Sequence, residues 1–294
     1  MKTFLDRMAE LKNREISGRA VEIPIEVLRD QALVMKPPSP FREPLARKET
    51  ESPRIIAEVK ARAPGRENVA HLDAESVARD YDAGGAAAIS VLTDESWFGG
   101  SLDTLREVSQ SVSLPLMHKE FIISEYQVLE GRTRGASASL VLAYYFSSKQ
   151  IEEMIDICRK WNLEPVVECS LEEELPRVLD ANPNVLMINN RPIAAIPEEP
   201  TDAYQQGSLN VTLDWWNRHD ELQHWKSQSG KILISASFID RVDHVQRLKE
   251  IPCDACLIGN AAMTAPDRIA FLRSLMGEPK HTYPKRMYEQ SRQT

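Results

Sequence analysis

Apolar residues recur along this 294-residue chain in two rhythms, and the change between them divides it. In the first 54 residues Phe4, Met8, Leu11 and Ile16 return at helical spacing among charges, and Ile23 to Ala32 forms a second helical pattern. The run Lys36-Pro-Pro-Ser-Pro-Phe-Arg-Glu-Pro44 then ends helix formation, because prolines this dense lack the amide protons a helix needs. From Ile55 onward short apolar runs alternate with amphipathic stretches. The runs are Ile55–Val59, Ala86–Leu92, Leu114–Met117, Ala138–Leu142, Pro165–Val167, Val185–Ile188, Ile232–Ile234 and Ala255–Ile258. Between them Ala74–Ala83, Leu102–Val108, Ser147–Trp161, Leu171–Leu179, Val242–Leu248 and Arg268–Leu275 carry helix-like spacing.

Strands apolar on both faces and alternating with helices imply parallel crossovers. Eight such units are what a closed (β/α)₈ TIM barrel requires, with a doubly wound open sheet as the rival. The expected organisation is an N-terminal helical extension over residues 1–54, a barrel over 55–278 and a polar tail over 279–294. The long connection Arg191–Gly230 holds Pro197-Glu-Glu-Pro200 and three tryptophans, Trp215, Trp216 and Trp225, read as packing the sixth helix on the barrel.

Charge narrows the partners. The net charge of -8 and the lack of a basic tract argue against a nucleic-acid surface, while leaving room for a local basic pocket. Residues 1–17 lack the apolar core of a signal peptide, and no window approaches a membrane span. A cytoplasmic protein, a monomer or weak homo-oligomer, is therefore expected. Of the four cysteines, Cys253 and Cys256 form a C-x-x-C with no accompanying His cluster or second pair. Reduced thiols beside a strand are expected there, with a zinc or redox site as the alternative.

The strand ends carry the chemistry, because polar residues closing a barrel strand face the catalytic mouth. The first run ends in Glu58-Val-Lys60, with both charges on one face by strand alternation. The third ends in His118-Lys119-Glu120, the fifth in Glu168, the sixth in Asn189-Asn190-Arg191 and the seventh in Ser235-Ala236-Ser237. Taken singly, each is ordinarily a solvated residue or half of a surface ion pair. Together, at five strand ends in register, they predict a pocket that shifts lysine and carboxylate pKa values and suits acid–base work on an anionic substrate. Lyase, isomerase and aldolase chemistry all remain open at this point.

At these residues the chain resembles the indole-3-glycerol-phosphate synthase family. The resembling segments are Ile55–Lys60, Gly84–Asp94 with Trp97–Ser101, His118–Gln127, Val167-Glu168 and Ile188–Arg191, and the likeness runs from about residue 4 to 277. The resemblance implies a carboxy-lyase that closes 1-(2-carboxyphenylamino)-1-deoxyribulose 5-phosphate to indole-3-glycerol phosphate in tryptophan biosynthesis, with neither metal nor organic cofactor. It implies that Lys119 is the general acid and Glu168 the base of the later dehydration. Lys60, positioned by Glu58, would hold the substrate and donate a proton in that dehydration. Asn189 and Arg191 would meet the anthranilate portion and its carboxylate, and Phe121 would pack on its ring. Ser237, Gly259 and Asn260 would lie at the phosphate.

Three stretches depart from the family's usual pattern. Ala63-Pro64-Gly65 stands where Ser-Pro-Ser is usual, Ala236-Ser237-Phe238 for Glu-Ser-Gly, and Gly259-Asn260-Ala261 for Gly-Ser or Gly-Glu-Ser. These changes remove hydroxyls and a carboxylate, and they put a ring where a glycine amide normally approaches the phosphate. Arg62 and Arg66 offer compensating bidentate contacts. Three readings follow: an ordinary synthase, a paralogue using the same acid–base pair on a related substrate in specialised metabolism, and a non-catalytic binding barrel. Keeping Glu58, Lys60, Lys119, Glu168, Asn189 and Arg191 together weighs against the last.

Overall fold

The computed structural model describes residues 2–62, 72–196 and 206–277. Ala63-Pro64-Gly65, Arg66, the Pro197–Pro200 stretch and the 279–294 tail, all singled out above, lie outside the described residues. Eight parallel strands close in chain order: β1 Arg54–Val59, β2 Ala88–Leu92, β3 Leu116–Lys119, β4 Ala138–Leu142, β5 Glu164–Cys169, β6 Val185–Asn189, β7 Ile232–Ala236 and β8 Ala255–Ile258. The ring is completed by β1 pairing with β8, from Arg54 opposite Ala255 to Ala57 opposite Ile258. The open doubly wound sheet is thereby excluded.

Two helices, α1 (Phe4–Glu22) and α2 (Ile25–Val34), precede the barrel. The crossovers hold α3 (Ala74–Ala83), α4 (Glu95–Phe98), α5 (Leu102–Ser111), α6 (Glu125–Thr133), α7 (Ser148–Lys160) and α8 (Leu175–Asp180). The long sixth connection holds α9 (Asn210–Arg218) and α10 (Asp220–Ser227), followed by α11 (Val242–Lys249), α12 (Asn260–Met263) and α13 (Arg268–Leu275). Trp215 and Trp225 are buried on the barrel, and Trp216 packs against the same core.

Strand parity sorts the core into two shells. Ile56, Met117, Val166, Met187, Ile234 and Leu257 join one cluster inside the barrel, while Ile55, Leu116, Val167, Leu186, Leu233 and Cys256 pack outward under the helices. The third strand begins two residues later than its apolar run. Pro115 can accept from Ile89 N–H but has no proton to donate to the ladder, so pairing starts at Leu116.

The prefix touches both ends of the barrel. Along α1, Thr3 and Asp6 hydrogen-bond the Tyr144 hydroxyl after β4, and Phe4 N–H donates to the Ile196 carbonyl after β6. The helix therefore spans loops at the C-terminal face. At the opposite end Phe41 and Leu45 enter the inner cluster, and Arg47 donates to the carbonyls of Ile251 and Cys253 just ahead of β8. Cys253 and Cys256 are buried free thiols, and Cys253 donates to the Ala255 carbonyl. Among the described residues no helix is long and apolar enough to cross a membrane.

Candidate active site

Parity decides which strand-end residues meet. Glu58 and Lys60 follow Ile56 on the inward face of β1, Lys119 follows Met117 on β3, Glu168 follows Val166 on β5, and Asn189 follows Met187 on β6. All five line a cavity of about 360 Å³ at the C-terminal mouth, together with Phe121, Arg191, Ser237, Gly259 and Asn260. The alternate residues face the other way. His118 Nε2 shares a hydrogen bond with the Thr93 hydroxyl, and Asn190 bonds Ser235, Thr212 and the Ser237 carbonyl.

Glu58 is the hub. Its Oε1 lies 2.8 Å from Lys60 Nζ and its Oε2 lies 3.2 Å from Lys119 Nζ. Burial alone would push this carboxyl up, but the two ammonium groups prevail and hold it at about 2. Lys60 moves down, chiefly because it is desolvated, with Lys119 and Arg191 adding repulsion that the Glu58 contact opposes. Gly259 is what lets β8 approach this pair: a Cβ there would meet the Glu58 carboxylate and Lys60 Nζ.

Across the cavity Glu168 is buried and its carboxyl is raised, first by desolvation, against the lowering pull of Lys119 and the Asn189 hydrogen bond. Asn189 Nδ2 donates to Glu168 Oε1 at 3.0 Å, while Oε2 has no hydrogen-bond partner among the described residues. An oriented carboxylate with one oxygen uncommitted is suited to taking a proton.

The third wall is built by the loop after β7. Ser237 and Phe238 are consecutive left-handed residues, at φ 70° and 58°. That region disfavours a side chain with a Cβ, most of all a bulky one. The Phe238 ring packs against Gly207, where a Cβ would collide with it, and carries the Arg191 guanidinium at 5.1 Å. Arg191 also donates to Ser237 Oγ at 3.2 Å. Asp240 adds a half-exposed carboxylate to the same rim.

The structure leaves one expected site residue outside the cavity. Arg62 spends its guanidinium on the carbonyls of Glu95, Ser96 and Trp97, tying the end of β1 to the loop after β2. It braces the mouth from behind and is not among the residues that line the cavity. Glu120 and Asp240 line the cavity without having been placed among the expected site residues. Among the described residues no group of three or more His, Cys, Asp or Glu side chains is placed to hold a metal ion.

A family model described as indole-3-glycerol phosphate synthase matches residues 5–275, which includes every strand, α2 and all of α1 but its first residue. The chain belongs to the indole-3-glycerol phosphate synthase family. Proteins named indole-3-glycerol phosphate synthase from three bacteria agree. The one from Aquifex aeolicus is 34% identical over 224 residues, covering 76% of this chain and 81% of that protein. That from Roseiflexus sp. is 32% identical over 284 residues, covering 94% and 99%. That from Desulfosudis oleivorans is 31% identical over 278 residues, again 94% and 99%. The match in length means that the synthase family's prefix belongs to the shared architecture.

Proposed function

We propose that the chain is a decarboxylating, ring-closing lyase that turns 1-(2-carboxyphenylamino)-1-deoxyribulose 5-phosphate into indole-3-glycerol phosphate, CO₂ and water. The observation that carries the reading is the Glu58 carboxylate shared by Lys60 and Lys119, facing an oriented Glu168 across one cavity.

In this reading Lys119 donates a proton to the ribulose carbonyl oxygen as the aromatic carbon bearing the carboxylate attacks that carbonyl carbon. The new carbon–carbon bond closes the five-membered ring, and the carbon–carboxylate bond then breaks with loss of CO₂. Dehydration follows: Lys60 protonates the departing hydroxyl, and Glu168 removes the proton whose electrons form the indole double bond. Phe121 lines the cavity beside Phe98, their rings stacked 6.1 Å apart, and offers a flat apolar wall to the anthranilate ring. Arg191, held by Ser237 and Phe238, meets the carboxylate. On this reading the enzyme acts on a small anion in the cytoplasm, as a monomer or weak homo-oligomer.

A second reading is favoured by Phe238 and Asp240. An aromatic ring and a carboxylate on the rim after β7, with Arg62 committed elsewhere, suit a substrate whose far end lacks a phosphoryl group. One assay separates the two: purified protein is given the phosphorylated substrate and its dephosphorylated analogue, and indole fluorescence is followed. Product from the phosphorylated compound supports the synthase reading. Turnover of the dephosphorylated analogue alone selects the second reading, and no turnover of either at saturation rules out both.

A further inference from the structure

Among the described residues outside the acid–base pocket, Lys12 of α1 is one of the most deeply buried charged groups, at 1% exposure. A lysine is rarely placed so deep without partners. Its Nζ lies 2.8 Å from Asp94 Oδ1 and 3.2 Å from Glu120 Oε1, with Glu15 Oε2 at 2.9 Å on the outer side. Asp94 follows β2 and Glu120 follows β3, so one ammonium group joins two loops of the mouth to the prefix.

Each inner carboxylate has a second task. Asp94 Oδ2 accepts from the backbone N–H of Trp97 and Phe98, capping α4. Glu120 Oε1 accepts from the backbone N–H of Phe121 at 2.7 Å. Phe98 and Phe121 are the stacked pair that walls the cavity, and Phe4 of the same helix meets Phe121 edge-on at 5.8 Å. The two carboxylates that hold Lys12 therefore also hold the two phenylalanines by their amides.

We propose that Lys12 is a positioning residue of the active site: by pairing with Asp94 and Glu120 it locks the loops after β2 and β3 to the first helix and sets the Phe98–Phe121 wall against which the substrate ring lies. The clamp itself follows from the geometry, while its effect on substrate rests on the synthase reading.

The cluster has more carboxylates than ammonium groups, and Glu120 reflects this. Desolvation and Asp94 outweigh Lys12 and the Phe121 N–H, so its carboxyl is raised to about 7. The titratable and charged groups facing it are Lys12, Glu15 and Arg19 from α1, Asp94 from the loop after β2, Glu95 from α4, His118 from β3, Glu130 from α6 and Tyr145 from the loop after β4. His118 stays neutral, its pKa pushed down to about 3, mainly by burial. Glu120 thus ionises near neutrality, and the Lys12 clamp tightens as pH rises through that range.

The test uses Lys12→Met in the full-length protein, with hydrogen exchange read by mass spectrometry and steady-state kinetics read by indole fluorescence. Exchange at the Phe98 and Phe121 amides should rise about tenfold or more, while β5 to β7 stay protected. KM should rise by about tenfold and kcat should fall by less. Wild-type KM should also drop as pH passes about 7, an inflexion that Glu120→Gln removes. Unchanged exchange at both amides overturns the clamp whatever reaction the enzyme performs. Faster exchange with unchanged KM overturns its role in substrate positioning. If Lys12→Met does not fold, Glu120→Gln, which keeps an oxygen for the Phe121 amide and leaves the Lys12–Asp94 pair, carries the same comparison: it must abolish the KM inflexion, or the proposal fails.

Discussion

The guanidinium of Arg191 rests over the Phe238 ring, 5.1 Å from its centroid, on a residue that holds a left-handed backbone at φ 58°. The contact and the strain oppose each other. A cation over a ring gives about 0.5–2 kcal/mol, and a non-glycine residue in that conformation costs about 1–2 kcal/mol. Phe238→Gly should therefore leave the melting temperature nearly unchanged while opening the rim. On the synthase reading its KM for the phosphorylated substrate falls by about tenfold, equivalent to about one lost obstruction of 1.4 kcal/mol. Steady-state kinetics on the phosphorylated and dephosphorylated substrates checks this, and a rise in KM for the phosphorylated one contradicts it.

Lys119→Ala and Glu168→Gln should each lower kcat by about 10²–10⁴, the usual range for losing a positioned acid or base. The Glu168 variant keeps an oxygen for Asn189 Nδ2, so circular dichroism and thermal unfolding should match the parent. A kcat within threefold of wild type in either variant, by order of magnitude no loss of transition-state stabilisation, removes that residue from the chemistry.

Acid should inhibit through Glu168. As a base it must be ionised, and desolvation has raised its carboxyl above the usual range, so kcat/KM climbs with pH through that raised value. Asn189 lowers it by hydrogen bonding. Asn189→Ala should therefore shift the acid limb to higher pH, and a shift to lower pH contradicts the assignment.

Glu58 should govern stability in acid. Its folded pKa of about 2 lies below the unfolded value of about 4.3. Its contribution is thus complete above the unfolded value and fades as pH falls through about 2. Glu58→Gln leaves Lys60 and Lys119 without their shared counterion, a loss of about 3 kcal/mol at neutral pH by analogy with other broken buried pairs. Urea unfolding of both proteins at pH 7 and near pH 3 measures it, and the gap should narrow in acid.

Gly259→Ala should abolish activity without unfolding the barrel, because the added methyl displaces Glu58 and Lys60 from their contact. Near-normal kcat/KM with an intact circular dichroism spectrum contradicts this.

The strands were legible because burial on both faces writes itself as unbroken apolar runs, and Ala138–Leu142 and Ala255–Ile258 appear with the expected limits. The inward set Glu58, Lys60, Lys119, Glu168 and Asn189 was legible for the related reason that alternation fixes direction. Helix α6 left no amphipathic signature: Tyr126 to Arg132 are all buried, since the barrel covers one side and α2 lies against the other, with Arg29 paired to Glu125. Lys12 had a trace in the sequence, standing four residues after Met8 and eight after Phe4 on one apolar stripe. A lysine there reads as solvent-facing until its partners, 82 and 108 positions further on by residue number, are in view. The bonds of Arg62 to the loop after β2 were not legible, because a long cation beside a cavity can reach the cavity or the loop behind it, and chain position does not say which.

Arg47 has a consequence for how the molecule is made. Its acceptor on Cys253 lies 206 residues away along the chain, and β1 likewise waits for β8. During synthesis both are exposed long before their receivers exist. Closure over such a span adds entropy only slowly with length, by about 0.6 kcal/mol per doubling, but it comes last. Arg47 and β1 are thus among the last parts to settle, although α1 already has partners after β2, β3, β4 and β6. A chain cut short before β8 yields a barrel with no seam and leaves Arg47 without its acceptors.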